Sequence, residues 1–125
     1  MVTEVTQGIK VSVETFFKPD YTYQYTFAYR VTIENEGPDT IQLLSRHWTI
    51  FDSKGTHREI MGEGVVGEQP VLNPGETFTY IAGCHLETDI GLMCGSYHMK
   101  RCDQEEKHFK VTIPAFQMVA PFRMN

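Results

Sequence analysis

Tyr23-Gln24-Tyr25-Thr26-Phe27-Ala28-Tyr29-Arg30-Val31-Thr32-Ile33 puts Tyr25, Phe27, Tyr29, Val31 and Ile33 at every second position. Gln24, Thr26, Arg30, Thr32 and Glu34 fall mostly between them. A period of two over so many residues predicts a long strand with one apolar and one wet face. Upstream, Ile9, Val11 and Val13 alternate with Lys10, Ser12 and Glu14 in the same way.

Downstream, turn signals arrive at short intervals. Glu36-Gly37-Pro38-Asp39 ends the long run, and Asp52-Ser53-Lys54-Gly55 closes the stretch Thr40–Phe51. In Asn73-Pro74-Gly75-Glu76 proline presets φ at the second turn position, and glycine accepts the positive φ of a type II turn at the third. Further strands are expected over Thr77–Gly83, Leu92–Arg101 and Lys107–Ile113, the last two separated by Asp103-Gln104-Glu105-Glu106. The count is about seven, with one longer irregular stretch at Gly62–Leu72 and no amphipathic helix of ten residues. Such spacing reads as an all-β antiparallel sandwich or barrel. The 125 residues fit a single domain spanning 1–125, with Met1–Gln7 and Pro121–Asn125 loosely held.

Eight Phe and six Tyr suit pleated, half-buried surfaces, and 41% hydrophobic with 22% charged is ordinary for a soluble globular chain. No apolar stretch approaches the roughly 20 residues that span a bilayer, and the N-terminus lacks an apolar signal core. Cys84, Cys94 and Cys102 make an odd set without disulfide-framework spacing. A reducing, cytoplasmic setting is expected. A net charge of −5 argues against nucleic acid and anionic membranes as partners.

The middle of the chain carries a long signature. It runs through Gln42-Leu43-Leu44-Ser45-Arg46-His47-Trp48, then Gly62-Glu63-Gly64-Val65-Val66-Gly67-Glu68-Gln69-Pro70. Leu72, Pro74-Gly75-Glu76, Gly95-Ser96-Tyr97 and Ile113-Pro114-Ala115-Phe116 continue it. It resembles the bacterial ApaG family from about Ile9 to Pro121. The resemblance implies a fibronectin type III-like or immunoglobulin-like sandwich and an association with Co²⁺ resistance and Mg²⁺ efflux. The family's name comes from its place beside a diadenosine tetraphosphatase gene, and similar domains in eukaryotic F-box and polymerase-interacting proteins imply interaction modules. It implies no accepted catalytic activity. This chain departs from the family at Thr88-Asp89, where Thr-Pro is usual, at Ala82-Gly83, where Ser-Gly is, and at Cys94.

Gly62-x-Gly64-x-x-Gly67 matches a dinucleotide fingerprint by letter, but no helix follows, and Glu63 and Glu68 would repel phosphate. The plainer reading is a sharply turned loop. A nest of backbone amides holding a small anion, with Gln69 and Arg46 beside it, is the functional alternative. In Arg46-His47-Trp48, alternation puts Arg46 with Trp48 on the inner face and His47 outside. Trp48 reads as a core anchor, and an inward Arg46 needs a carboxylate or carbonyl partner. Cys94 and His98 share a strand face, and with Cys84 and His85 they could in principle hold Co²⁺ or Zn²⁺, although the spacing follows no established zinc pattern. Glu59, Glu63 and Glu68 form only a loose acidic run for Mg²⁺. No nucleophile elbow or His-Glu-x-x-His motif occurs, and neighbours along a strand, as Ser45, Arg46 and His47 are in turn, point to opposite faces and cannot form a nucleophile–base pair directly.

The expected function is non-enzymatic binding of a protein partner, with no cofactor. The loops Gly62–Gln69 and Cys84–Ile90 are expected to form the presenting surface. The alternatives are a binder of pyrophosphate, nucleotide or diadenosine polyphosphate at the glycine-rich loop, and a divalent metal binder. Both monomer and homodimer are compatible with the sequence.

Overall fold

A computed structural model describes residues 1–18, 25–103 and 105–121; Tyr23, Gln24, Gln104 and 122–125 lie outside the described residues. The described residues form nine strands and no long helix. The strands are β1 (Val2–Thr6), β2 (Ile9–Lys18), β3 (Tyr25–Asn35), β4 (Ile41–Asp52), β5 (His57–Glu63), β6 (Val71–Leu72), β7 (Thr77–Leu86), β8 (Ile90–Arg101) and β9 (His108–Val119). They make two antiparallel sheets, one ordered β1-β2-β3-β7 and the other β5-β4-β8-β9, with the short β6 also paired to β4. No described helix is long and apolar enough to cross a membrane.

The alternation has the expected consequence. Phe27, Tyr29, Val31 and Ile33 are buried on β3, facing Trp48, Tyr97, Met99 and Ile113 of the other sheet in one continuous core. Trp48 packs edge-on to Tyr29 and Phe116 at ring-centre distances of 5.4 and 5.9 Å, a geometry that aromatic quadrupoles favour. The Tyr80 and Tyr97 hydroxyls bond each other inside the core. Burial pushes both phenols well above their ordinary range.

Two differences from the sequence reading concern strand ends. The expectation of about seven strands omitted β1 and β6, and Met1–Gln7 is not loose. Val2–Thr6 pairs with Ile9–Val13 through a tight turn at Gln7-Gly8, both with positive φ. The final strand does not stop at Ile113. It continues to Val119 because Pro114 and Ala115 stand together opposite Cys94 as a bulge, which accommodates a residue without an N–H. A second bulge at Leu44 shifts β4 by one residue. Hence Ile41 and Leu43 are inward before it, and Trp48 and Ile50 after it.

Candidate functional site

The glycine-rich segment begins inside β5 and leaves it as a compact turn. Gly64 N–H donates to Leu44 O at 2.8 Å, and Val65 and Glu68 exchange N–H···O bonds of 2.8 and 2.9 Å. Between those two, Val66 and Gly67 have φ of 44° and 80°, the pattern of a type I′ turn. Val65 is 1% exposed and plugs the core.

Two of the glycines have a steric cause. A Cβ on Gly64 would stand 2.3 Å from Glu68 O, and one on Gly62 would stand 2.9 Å from the Arg46 guanidinium. Arg46 is on the inner face as alternation requires, and its partners are carbonyls. Nη1 donates to Glu63 O and Gly64 O at 3.0 and 2.9 Å. Gln69 Nε2 donates to Leu44 O at 2.9 Å. Gly62, Gly64, Gly67, Gln69 and Arg46 are therefore brought together as a clamp that fixes the end of β5.

The four residues considered for metal are not brought together. Cys84 and His85 lie on β7 of one sheet, Cys94 and His98 on β8 of the other. Cys94 and His98 share the outer face, but a four-residue step along a strand is about 13 Å, too far for one ion. His98 Nε2 instead pairs with His108 Nδ1 at 2.8 Å. Among the described residues no group of three or more His, Cys, Asp or Glu is arranged to hold a metal. The expected loop Cys84–Ile90 also needs correction, since Cys84–Leu86 belongs to β7 and Ile90 opens β8.

The feature that sequence reading missed is the seam between β5 and β7, the outermost strands on one side of the two sheets. Arg58 of β5 reaches across it, its Nη2 donating to His85 O at 2.8 Å and lying 3.5 Å from Cys84 Sγ. Beside this bridge a cleft of about 330 Å³ opens toward the core, walled by Tyr29, Ile50, Ile60, Gly83 and Met93. Burial raises the Cys84 thiol above its ordinary value, while Arg58 pulls it back down. Burial, then Cys84, push the Tyr29 phenol up to about 12.

Residues 17–101 match the model of the ApaG domain. The chain belongs to the ApaG family. Protein ApaG of Brucella canis is 44% identical over 126 residues, which cover 97% of this chain and 95% of that one. Protein ApaG of Rhodospirillum centenum is 46% identical over 129 residues with the same coverage. Among solved structures, the putative ApaA protein from Bordetella pertussis aligns with TM-score 0.84 and 44% identity, covering 90% of this chain and 94% of that one. The X-ray structure of a structural genomics target aligns with TM-score 0.87 and 34% identity, covering 95% and 92%. The ApaG signature at Arg46 and Gly62–Gln69 thus coincides with the clamp on β5.

Proposed function

We propose that this ApaG-family chain acts in the cytoplasm by binding another protein, without catalysis of its own, and that the outer edge of β7 is the binding element. One observation carries the reading. Thr77–Leu86 is a ten-residue edge strand without Asp, Glu, Lys, Arg or Pro, and Ile81 on its outer face is 57% exposed. Edge strands are ordinarily guarded by charge, proline or bulges, and an unguarded one accepts a further strand. The other long edges are guarded: β1 by Glu4, β5 by Arg58, Glu59 and Glu63, β9 by Lys110 and the Pro114 bulge; β6 is only two residues long.

On this reading, the association with Co²⁺ resistance and Mg²⁺ efflux runs through the partner and needs no metal on this chain. The anion reading has less support, because the amides of Gly64, Val65 and Glu68 already donate to carbonyls of the chain.

Site-specific photo-crosslinking in cells tests the proposal. Benzoylphenylalanine at Thr79 or Ile81 should trap one discrete protein adduct that the same probe at Lys10, in the central strand β2, does not. Equal trapping at all three positions, or an adduct obtained only from Val66 in the glycine turn, would overturn the edge as the binding element.

A further inference from the structure

Resting on that reading, we infer that the place beside β7 takes an extended segment of another protein carrying an aliphatic side chain two residues from a carboxylate. Backbone direction comes first. Glu76 O accepts from Asn35 N of β3 at 3.0 Å, so even-numbered residues of β7 turn their amide and carbonyl toward β3. Odd-numbered ones turn theirs to the open edge. The bond from Arg58 to His85 O on that edge agrees. Thr77, Thr79, Ile81 and Gly83 therefore present a row of donors and acceptors to an incoming strand.

The floor of the place comes next. One sheet ends at β7, while the other extends to β5, whose inward residues Ile60 and Arg58 pair with Trp48 and Ile50 of β4. Ile60 faces the sandwich interior yet is 39% exposed, on the wall of the cleft. A strand added to β7 would lie over it. Alternate side chains of that strand would point down at about 7 Å intervals, the same two-residue step that separates Ile60 from Arg58. One would meet Ile60 and the cleft, the next Arg58.

Charge selects the second side chain. Arg58 makes no ion pair with a carboxylate among the described residues, and β7 contributes no Asp or Glu. A carboxylate from the segment completes the guanidinium's hydrogen bonding with charge-assisted bonds. A second copy of this chain fits less well. Its β7 would arrive with Tyr80 and Cys84 already buried in its own core, leaving Ile60 and Arg58 uncovered.

The test pans a phage-displayed library of random ten-residue peptides against the whole chain and follows an enriched peptide by ¹H–¹⁵N spectra. Enriched sequences should carry Asp or Glu two residues from Val, Ile or Leu, and should shift the amides of Thr79, Ile81 and Gly83. Arg58→Glu should weaken that peptide by roughly tenfold or more, the scale of one charge-assisted bond, and should redirect selection toward Lys or Arg. If charge reversal unsettles the seam, Arg58→Gln should remove the acidic preference while the edge shifts remain. Peptides that shift the edge without acidic preference overturn the partner chemistry and leave the edge standing. No enrichment over an unrelated chain, or shifts confined to Gly62–Gln69, overturns both. A dimer in sedimentation that Ile81→Lys dissolves would assign the edge to a second copy instead.

Discussion

The two sides of this sandwich are finished differently. On one side β1 lies along β9, Thr112 N–H donates to Thr6 Oγ1 at 3.3 Å, and Val111 and Ile113 beneath them are buried. On the other side β7 and β5 are joined by one guanidinium, over an open cleft. Both edges of the closed side are guarded, whereas the open side sets the guarded β5 against β7, which has no Asp, Glu, Lys or Arg. β5 can overhang without a strand beneath it because both its ends are pinned, by the Arg46 clamp at Glu63–Gly64 and by the Asp52–Thr56 hairpin. The difference teaches that the fold commits its packing to one seam and leaves the other as surface.

The comparison breaks most directly at two isoleucines on the inner faces. Ile113→Ala, on the closed side, deletes fully buried carbons and should cost about 3 kcal/mol in urea unfolding. Ile60→Ala, on the open side, should cost below about 1 kcal/mol, because much of that side chain already meets water. Equal losses would mean that the open seam is packed in solution.

The pin on β5 gives the next effect. Gly64→Ala adds a Cβ 2.3 Å from Glu68 O at a φ of 64°, and should cost about 2 kcal/mol or more. Gly67→Ala meets nothing within 4 Å and faces only the backbone penalty of about 1 kcal/mol. Thermal melts of the two variants should therefore separate, with Gly64→Ala lower. Coincident melts would remove the steric account of the clamp.

These features were unequally legible in the sequence. Alternation from Tyr25 to Ile33 reports directly on burial, because a strand face is set by neighbours two residues away. Trp48 and Arg46 were legible for the same reason, whereas the Leu44 bulge was not. It depends on how β4 meets β8, and nothing local marks it. Val2–Thr6 was missed because only its two valines are apolar and its stabilisation comes from pairing with β2. The metal grouping failed because closeness along the chain between Cys84 and Cys94 spans a crossing from one sheet to the other. Which strand ends a sheet is a matter of topology, so the open edge could not be located. Its signature, ten residues without Asp, Glu, Lys, Arg or Pro, was in plain view.

Cys84 reports on the open seam itself. Burial raises its thiol and Arg58 opposes that. The thiol form is favoured in the fold, so alkylation of Cys84 should accelerate at a pH above the ordinary thiol range. Arg58→Gln removes the opposing charge and should move that midpoint higher still. Iodoacetamide labelling with mass mapping across pH 7 to 10.5 reads it, a window about the ordinary thiol value, with exposed Cys102 labelled first as an internal clock. A midpoint that Arg58→Gln lowers would show that the guanidinium does not act on the sulfur.

The smallest effect belongs to the hairpin that sets the other end of β5. The Asp52 carboxylate accepts from the Thr56 hydroxyl and from the Thr56 and Lys54 amides. The Thr56 hydroxyl bond is the main cause of its lowered pKa. Because the folded value lies below the unfolded one, this contribution is present above roughly pH 4. It fades as pH falls through the folded value. Asp52→Asn keeps one acceptor oxygen and loses the charge, so it should melt slightly below the parent at pH 7 and converge with it only as pH falls through the lowered folded value. If the gap persists unchanged at low pH, the turn is held by shape alone, and the overhang of β5 owes nothing to this carboxylate's charge.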